Sequence, residues 1–169
     1  MGFGYAPKIL VPASETDDII EQAKMVVSFV MGIGPLHLNM TKPFNPILGE
    51  TFECSVGGIP IYMEQISHHP PISAFYMKTE GFRFFGSFHS HAEMGLNQVN
   101  GRNLTPLFIE FPRTKTFYEI KTMDMEVTGM MYGDKRYRPE GKCFIHERTN
   151  NLFVEYTTGK DKKKVYPSE

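Results

Sequence analysis

GETFECSVGGIPIYMEQIS, residues 49–67, decides the fold class. It divides at Gly57-Gly58. On either side lie short runs of aromatic and β-branched residues, and a glycine pair supplies the positive φ that a tight hairpin turn needs. The stretch therefore reads as two antiparallel strands. The same pattern continues downstream through ISAFYMK (72–78) and FRFFGSFHSH (82–91), where Phe82, Phe84 and Phe88 fall on alternate positions. TFYEIKTMDMEVTGMMYG (116–133) reads as two strands or one long bent strand. KCFIHER and LFVEYTTG flank Thr149-Asn150-Asn151, a second hairpin signal.

Upstream the periodicity changes. Ile19, Ile20, Ala23, Val26, Val27, Val30 and Met31 recur at helical spacing and form one apolar stripe. Ser14 is the expected N-cap, with Asp17 three residues on, and Glu15, Asp17 and Asp18 suit the positive end of the helix dipole. Gly32, Gly34 and Pro35 end the helix. One helix followed by many short strands predicts a mainly β (α+β) fold: an N-terminal helix, then a curved antiparallel sheet or a barrel. The expected layout is a single domain, with residues 1–13 as an N-terminal extension, 14–32 as helix, 40–159 as sheet and 160–169 as a charged tail. With 14 Phe, 8 Tyr and 11 Met, apolar side chains are plentiful, and Met suits a surface that adapts to a flexible ligand.

Composition narrows the function. A formal net charge of -1 gives no support to nucleic-acid binding, and Lys160, Lys162, Lys163 and Lys164 read as a solvated tail with attraction to an anionic membrane surface. No apolar run is long enough to span a bilayer, and the N-terminus has no apolar signal core. Gly2 behind Met1 resembles a myristoylation start, but Ala6 stands where Ser or Thr is required. Cys54 and Cys143 are too few for a disulfide scaffold and favour a reducing, cytoplasmic compartment.

Two motifs carry chemistry. In Lys42-Pro43-Phe44-Asn45-Pro46-Ile47-Leu48-Gly49-Glu50, the prolines stiffen a loop between helix and first strand. That loop holds an ammonium, Lys42, and an amide, Asn45, suited to a phosphate or polyol. In Glu64-Gln65-Ile66-Ser67-His68-His69-Pro70-Pro71, two histidines end a strand that two prolines stop. Neighbouring residues on a strand point to opposite faces, so His68 and His69 converge on one ligand only if the chain turns there. Imidazole N–H groups then suit phosphate, more so when protonated.

EQISHHPP closely resembles the EQVSHHPP fingerprint of oxysterol-binding proteins, with Ile66 for Val. KPFNPILGETFE resembles the KPxNPxLGE segment of the same family, and KMVVSFV fits its approach to that loop. The resemblance implies a β-barrel around a lipid tunnel that holds a sterol or phosphatidylinositol 4-phosphate and moves it between membranes. It places His68 and His69 on the inositol 4-phosphate and Lys42 and Asn45 on the headgroup, with Pro43, Pro46, Gly49, Glu50, Glu64, Gln65, Ser67, Pro70 and Pro71 as supporting motif residues. It implies no cofactor, no metal and no catalytic residue, and a protein transiently at organelle membranes. Domains of that family are longer, so an open or half barrel is expected here. Its apolar wall would face water, and its last strand, within LFVEYTTG, would offer an edge for self-association.

A competing reading is a metal-dependent hydrolase. His89 and His91 would share one face of a strand as zinc ligands, with Glu50 or Glu64 as base. No HExxH spacing supports it. A third reading is a relic that kept the motifs and lost the pocket.

Overall fold

The computed structural model describes residues 2–33 and 44–158. A 3-10 turn, Gly2–Tyr5, leads into α1 (Ala6–Glu15) and α2 (Ile19–Ile33). Ten strands follow: β1 (Thr51–Val56), β2 (Ile59–Ser67), β3 (Ile72–Lys78), β4 (Arg83–Met94), β5 (Gln98–Asn103), β6 (Leu107–Phe111), β7 (Thr116–Lys121), β8 (Asp124–Thr128), β9 (Arg136–Glu147) and β10 (Leu152–Thr158).

The helical region differs from the expectation in two ways. Residues 6–13, read as an N-terminal extension, are most of α1. The helix contains two prolines. Pro7 sits in the first turn, where a missing N–H costs nothing. Ala6, Leu10 and Ala13 are fully buried, and this burial outweighs the bond lost at Pro12. Ser14 caps nothing; its hydroxyl donates to the Val11 carbonyl at 2.7 Å. The cap of α2 is Asp18, whose carboxylate accepts from the N–H of Ile20 (2.8 Å) and Glu21 (3.3 Å).

The register simplifies the sheet. Against β4, Met94 faces Val99 on β5 and Gly86 faces Leu107 on β6, so β5 and β6 are one long strand interrupted at 104–106. β7 and β8 are likewise one strand with a slip: Lys121 faces Phe144, while Asp124, three residues on, faces Glu140, four residues away. The run 116–133 is thus both of the alternatives read from sequence, a single bent course broken at 122–123. The result is an eight-course antiparallel meander, curled part-way to a ring. Its edges are β1 and β10, which do not pair with each other among the described residues.

The interruptions at 104–106 and 122–123 lie side by side and form a crease. On one side of it the sheet carries α1 and α2. Phe84 packs edge-on against Phe29 of α2 at 5.2 Å and against Phe75 at 4.8 Å, and Phe3 joins them at 5.0–5.4 Å. Gln22 of α2 is fully buried and satisfied: its amide donates to Ala13 O (3.0 Å) and Thr114 Oγ1 (3.2 Å). Its carbonyl accepts from Thr116 Oγ1 (2.6 Å) and Tyr118 OH (3.1 Å). Arg113 in the β6–β7 turn latches the helix pair, with Nε donating to Ser14 O at 2.9 Å and Nη1 to Asp17 at 2.5 Å. Gly57, at φ 57, turns where a Cβ would lie 2.8 Å from Pro7 Cγ, so the β1–β2 turn must be glycine for α1 to dock. The apolar wall expected to face water is, on this side of the crease, covered by the chain's own helices.

On the other side, β4, β5, β8 and the first half of β9 project without helical cover. Ile72, the first residue of β3, faces His89, and β4 continues five residues further to Met94. At about 3.4 Å per residue this overhang is about 17 Å.

Candidate phosphate site at the β2–β3 turn

The His68-His69-Pro70-Pro71 segment is the turn between β2 and β3, so the chain does reverse where convergence of the two imidazoles requires it. Their ring centroids are 4.7 Å apart, edge to face, and the His69–Pro70 peptide is cis. His68 is half-buried and His69 exposed.

The loop 44–50 docks onto this turn through the backbone. Gly49 N–H donates to Gln65 O (2.8 Å), and Gln65 N–H donates to Glu50 O (3.0 Å), extending the β1–β2 ladder. The Glu50 carboxylate accepts from the Ile47 N–H at 2.9 Å and closes the loop on itself. Gln65 is buried; its amide donates to Ser67 O at 2.6 Å and its carbonyl oxygen accepts from the Ser73 hydroxyl. Glu50, Gln65 and Ser67 therefore fix the turn, and the histidines stand on it, His68 half-buried and His69 exposed. Glu64 lies outside the cluster, exposed on the face away from the helices, between Thr51 and Ala74. Asn45 is exposed on the docked loop; Lys42 and Pro43 lie outside the described residues.

One contact sets the chemistry. His68 Nδ1 is 3.0 Å from the Pro46 carbonyl oxygen. A carbonyl only accepts, so Nδ1 carries the proton. In neutral His68 the remaining nitrogen, Nε2, then holds a lone pair and repels an anion. Only the imidazolium presents an Nε2–H. The sequence indicated histidines suited to phosphate but not this constraint, because the partner is a backbone carbonyl 22 residues away.

The hydrolase reading finds no support in the geometry. His91 Nε2 approaches Glu93 at 3.6 Å, and no three His, Cys, Asp or Glu side chains gather to hold a metal ion among the described residues. No helix among them is long and apolar enough to cross a membrane.

Comparison with known proteins agrees with the motifs. The family model described as Oxysterol-binding protein matches residues 4–165. Oxysterol-binding protein 9 of Dictyostelium discoideum is 41% identical over 160 residues, covering 92% of this chain and 36% of that protein. Oxysterol-binding protein-related protein 5 of Mus musculus is 31% identical, covering 89% of this chain and 18% of its own length. Among solved structures, the Osh1 ORD domain in complex with ergosterol superposes with a TM-score of 0.80 at 26% identity, over 86% of this chain and 36% of that one. The Osh3 ORD in complex with PI(4)P from Saccharomyces cerevisiae shares the fold with a TM-score of 0.83 at 21% identity, over 95% of this chain and 44% of that one. The chain thus spans about a third of the length of the first of these relatives and under a fifth of the second, and over that span it belongs to the oxysterol-binding protein family.

Proposed function

We propose that this chain binds single membrane lipids, a sterol or phosphatidylinositol 4-phosphate, and takes part in their transfer between membranes. The observation that carries the reading is the paired-loop cluster: His68 and His69 converge at one turn, and the loop bearing Asn45 is bonded to that turn through Pro46 and Gln65. The matched relatives are named for oxysterol binding, and solved neighbours hold ergosterol or PI(4)P. Lys42 completes the site in this reading. The chain acts as a carrier rather than an enzyme, needs no cofactor, and works in the cytoplasm with transient visits to organelle membranes.

The imidazolium requirement at His68 makes capture of phosphate pH-dependent. Affinity should rise as pH falls, until the phosphate itself takes up a proton. The test is extraction of labelled phosphatidylinositol 4-phosphate from liposomes by the full chain and by H68A/H69A. A drop of about tenfold or more is expected, since each charge-assisted contact contributes about 1.5–3 kcal/mol. Equal extraction by both proteins would refute the site.

A further inference from the structure

The far end of the overhang is an apolar tip built from two hairpin loops. Met94 and Leu96 in the β4–β5 turn are each 82% exposed. Met131 and Tyr132 in the β8–β9 loop are 78% and 65% exposed, and Met130 beside them 42%. Exposed side chains of this size are ordinary singly, but a group of five at one extremity is not.

The tip is also rigid. Asn97 joins the two loops: its carbonyl side-chain oxygen accepts from the N–H of Met131 (2.8 Å) and Tyr132 (3.1 Å), and its amide donates to Tyr132 O (3.0 Å). Its backbone carbonyl accepts from Gly129 N–H at 3.0 Å. Gly129, at φ 76, closes the second loop so tightly that a Cβ would stand 2.2 Å from Asp134 O. An asparagine and a glycine that no other residue could replace without strain thus hold these apolar side chains in place at the surface.

We propose that this tip inserts into the interfacial layer of an anionic lipid bilayer. Three features select a bilayer over a protein. The tip is small and ends a projection of the sheet, five residues of β4 beyond its pairing with β3, whereas a protein partner is met by a broad face. Its side chains are Met, Leu and Tyr, flexible apolar groups with one amphipathic ring suited to the headgroup boundary. Behind them, in the stretch 134–138, Lys135, Arg136 and Arg138 outnumber Asp134; Arg138 pairs with Glu126 at 3.9 Å and Glu93 beside Met94 pairs with Arg102, which leaves Lys135 and Arg136 as the bases that attract an anionic surface. The His68–His69 turn lies at the same end of the sheet, since it closes β2 and β3 where β4 begins to overhang. The inference rests on the reading that the protein works at membranes, and it names the surface that touches them.

The chain has no tryptophan, so Met131→Trp installs a unique reporter. Vesicles of phosphatidylcholine and phosphatidylserine, free of phosphoinositide, should shift its emission to the blue, and brominated acyl chains should quench it. In flotation with the same vesicles, L96E/M131E should bind about tenfold less than the parent chain or weaker, from the apolar area and charge involved, with an unchanged melting temperature. H68A/H69A should float like the parent while losing extraction, which separates failure of the phosphate site from failure of the tip. An unshifted tryptophan, or equal flotation of L96E/M131E and parent, would overturn the proposal. So would a self-associated parent that the tip substitutions convert to monomer without vesicle binding, since the occupant would then be a second copy.

Discussion

The two sides of the crease are made from the same strands and obey different rules. Below it, every inward position of β6, β7 and the end of β9 is buried under helices, and even the polar groups there, Gln22 and Glu147, are satisfied. Above it, the same courses leave their apolar residues half or fully exposed, and order comes from turn chemistry at Asn97 rather than from a core. Burial is concentrated below, and exposed apolar surface above.

The largest effect should come from the packed side. Phe84→Ala removes a fully buried ring that touches Phe3, Phe29 and Phe75. It should cost about 3–5 kcal/mol in denaturant unfolding. A loss below 1 kcal/mol would mean that the helices do not anchor the sheet.

Glu147 gives the next effect, with a pH signature. Burial pushes its carboxyl up, but N–H groups of Asn150, Thr149 and Phe117 and the Asn150 side-chain amide outweigh this and hold it below the usual carboxylate range. A lowered folded value means stabilisation that is present above the unfolded glutamate value near ~4.3 and is lost as pH falls through the folded value. Glu147→Gln should cost about 1–3 kcal/mol at pH 7. The gap between parent and variant should shrink on acidification, and urea unfolding at a series of pH values would show whether it does.

The β10 edge tests whether the packed side is complete. Its outer N–H and C=O groups meet no further strand among the described residues, so pairing between copies is expected there. Tyr156→Pro would cut that edge only at the cost of the β9–β10 ladder. Thr157→Lys, at an exposed position of the strand, is gentler, and it should lower the weight-average mass by light scattering while barely changing the melt. A concentration-independent monomer in the parent chain would remove the edge from consideration. Smallest of all should be the stability effect of Leu96→Glu or Met131→Glu, within about 0.5 kcal/mol; a larger loss would make the tip part of the core.

The sequence was legible where local chemistry decides. Gly57-Gly58 and Thr149-Asn150-Asn151 became the hairpins read from them, with Asn151 at φ 56. Phe82 and Phe84 proved fully buried, with Phe88 partly so. It was illegible where tertiary contacts override local signals. Residues 6–13 read as an extension, because the burial of Leu10 against a distant sheet cannot be seen from them alone. Ser14 looked like a cap, although it lies inside α1 and the cap of α2 is Asp18, four residues on. At the candidate site the histidine pair stood out, while the buried amide of Gln65 and the carbonyl of Pro46 that orient it did not. The tip was missed because Met94, Leu96 and Met130–Tyr132 are far apart in the chain, and only the β5–β8 pairing brings them together.

The overhang also acts as a ruler. With apolar side chains buried about 5–10 Å into the headgroup boundary, an upright sheet about 17 Å longer at its tip keeps the histidine turn roughly a Debye length above the bilayer, about 10 Å at 0.1 M salt. At that standoff, exposed imidazolium charges feel the surface only weakly, and no lipid phosphate can reach them in place. If the tip inserts as proposed, capture of a lipid phosphate at the histidine turn would require the sheet to lean toward the side of β2 and β3, pivoting on its tip.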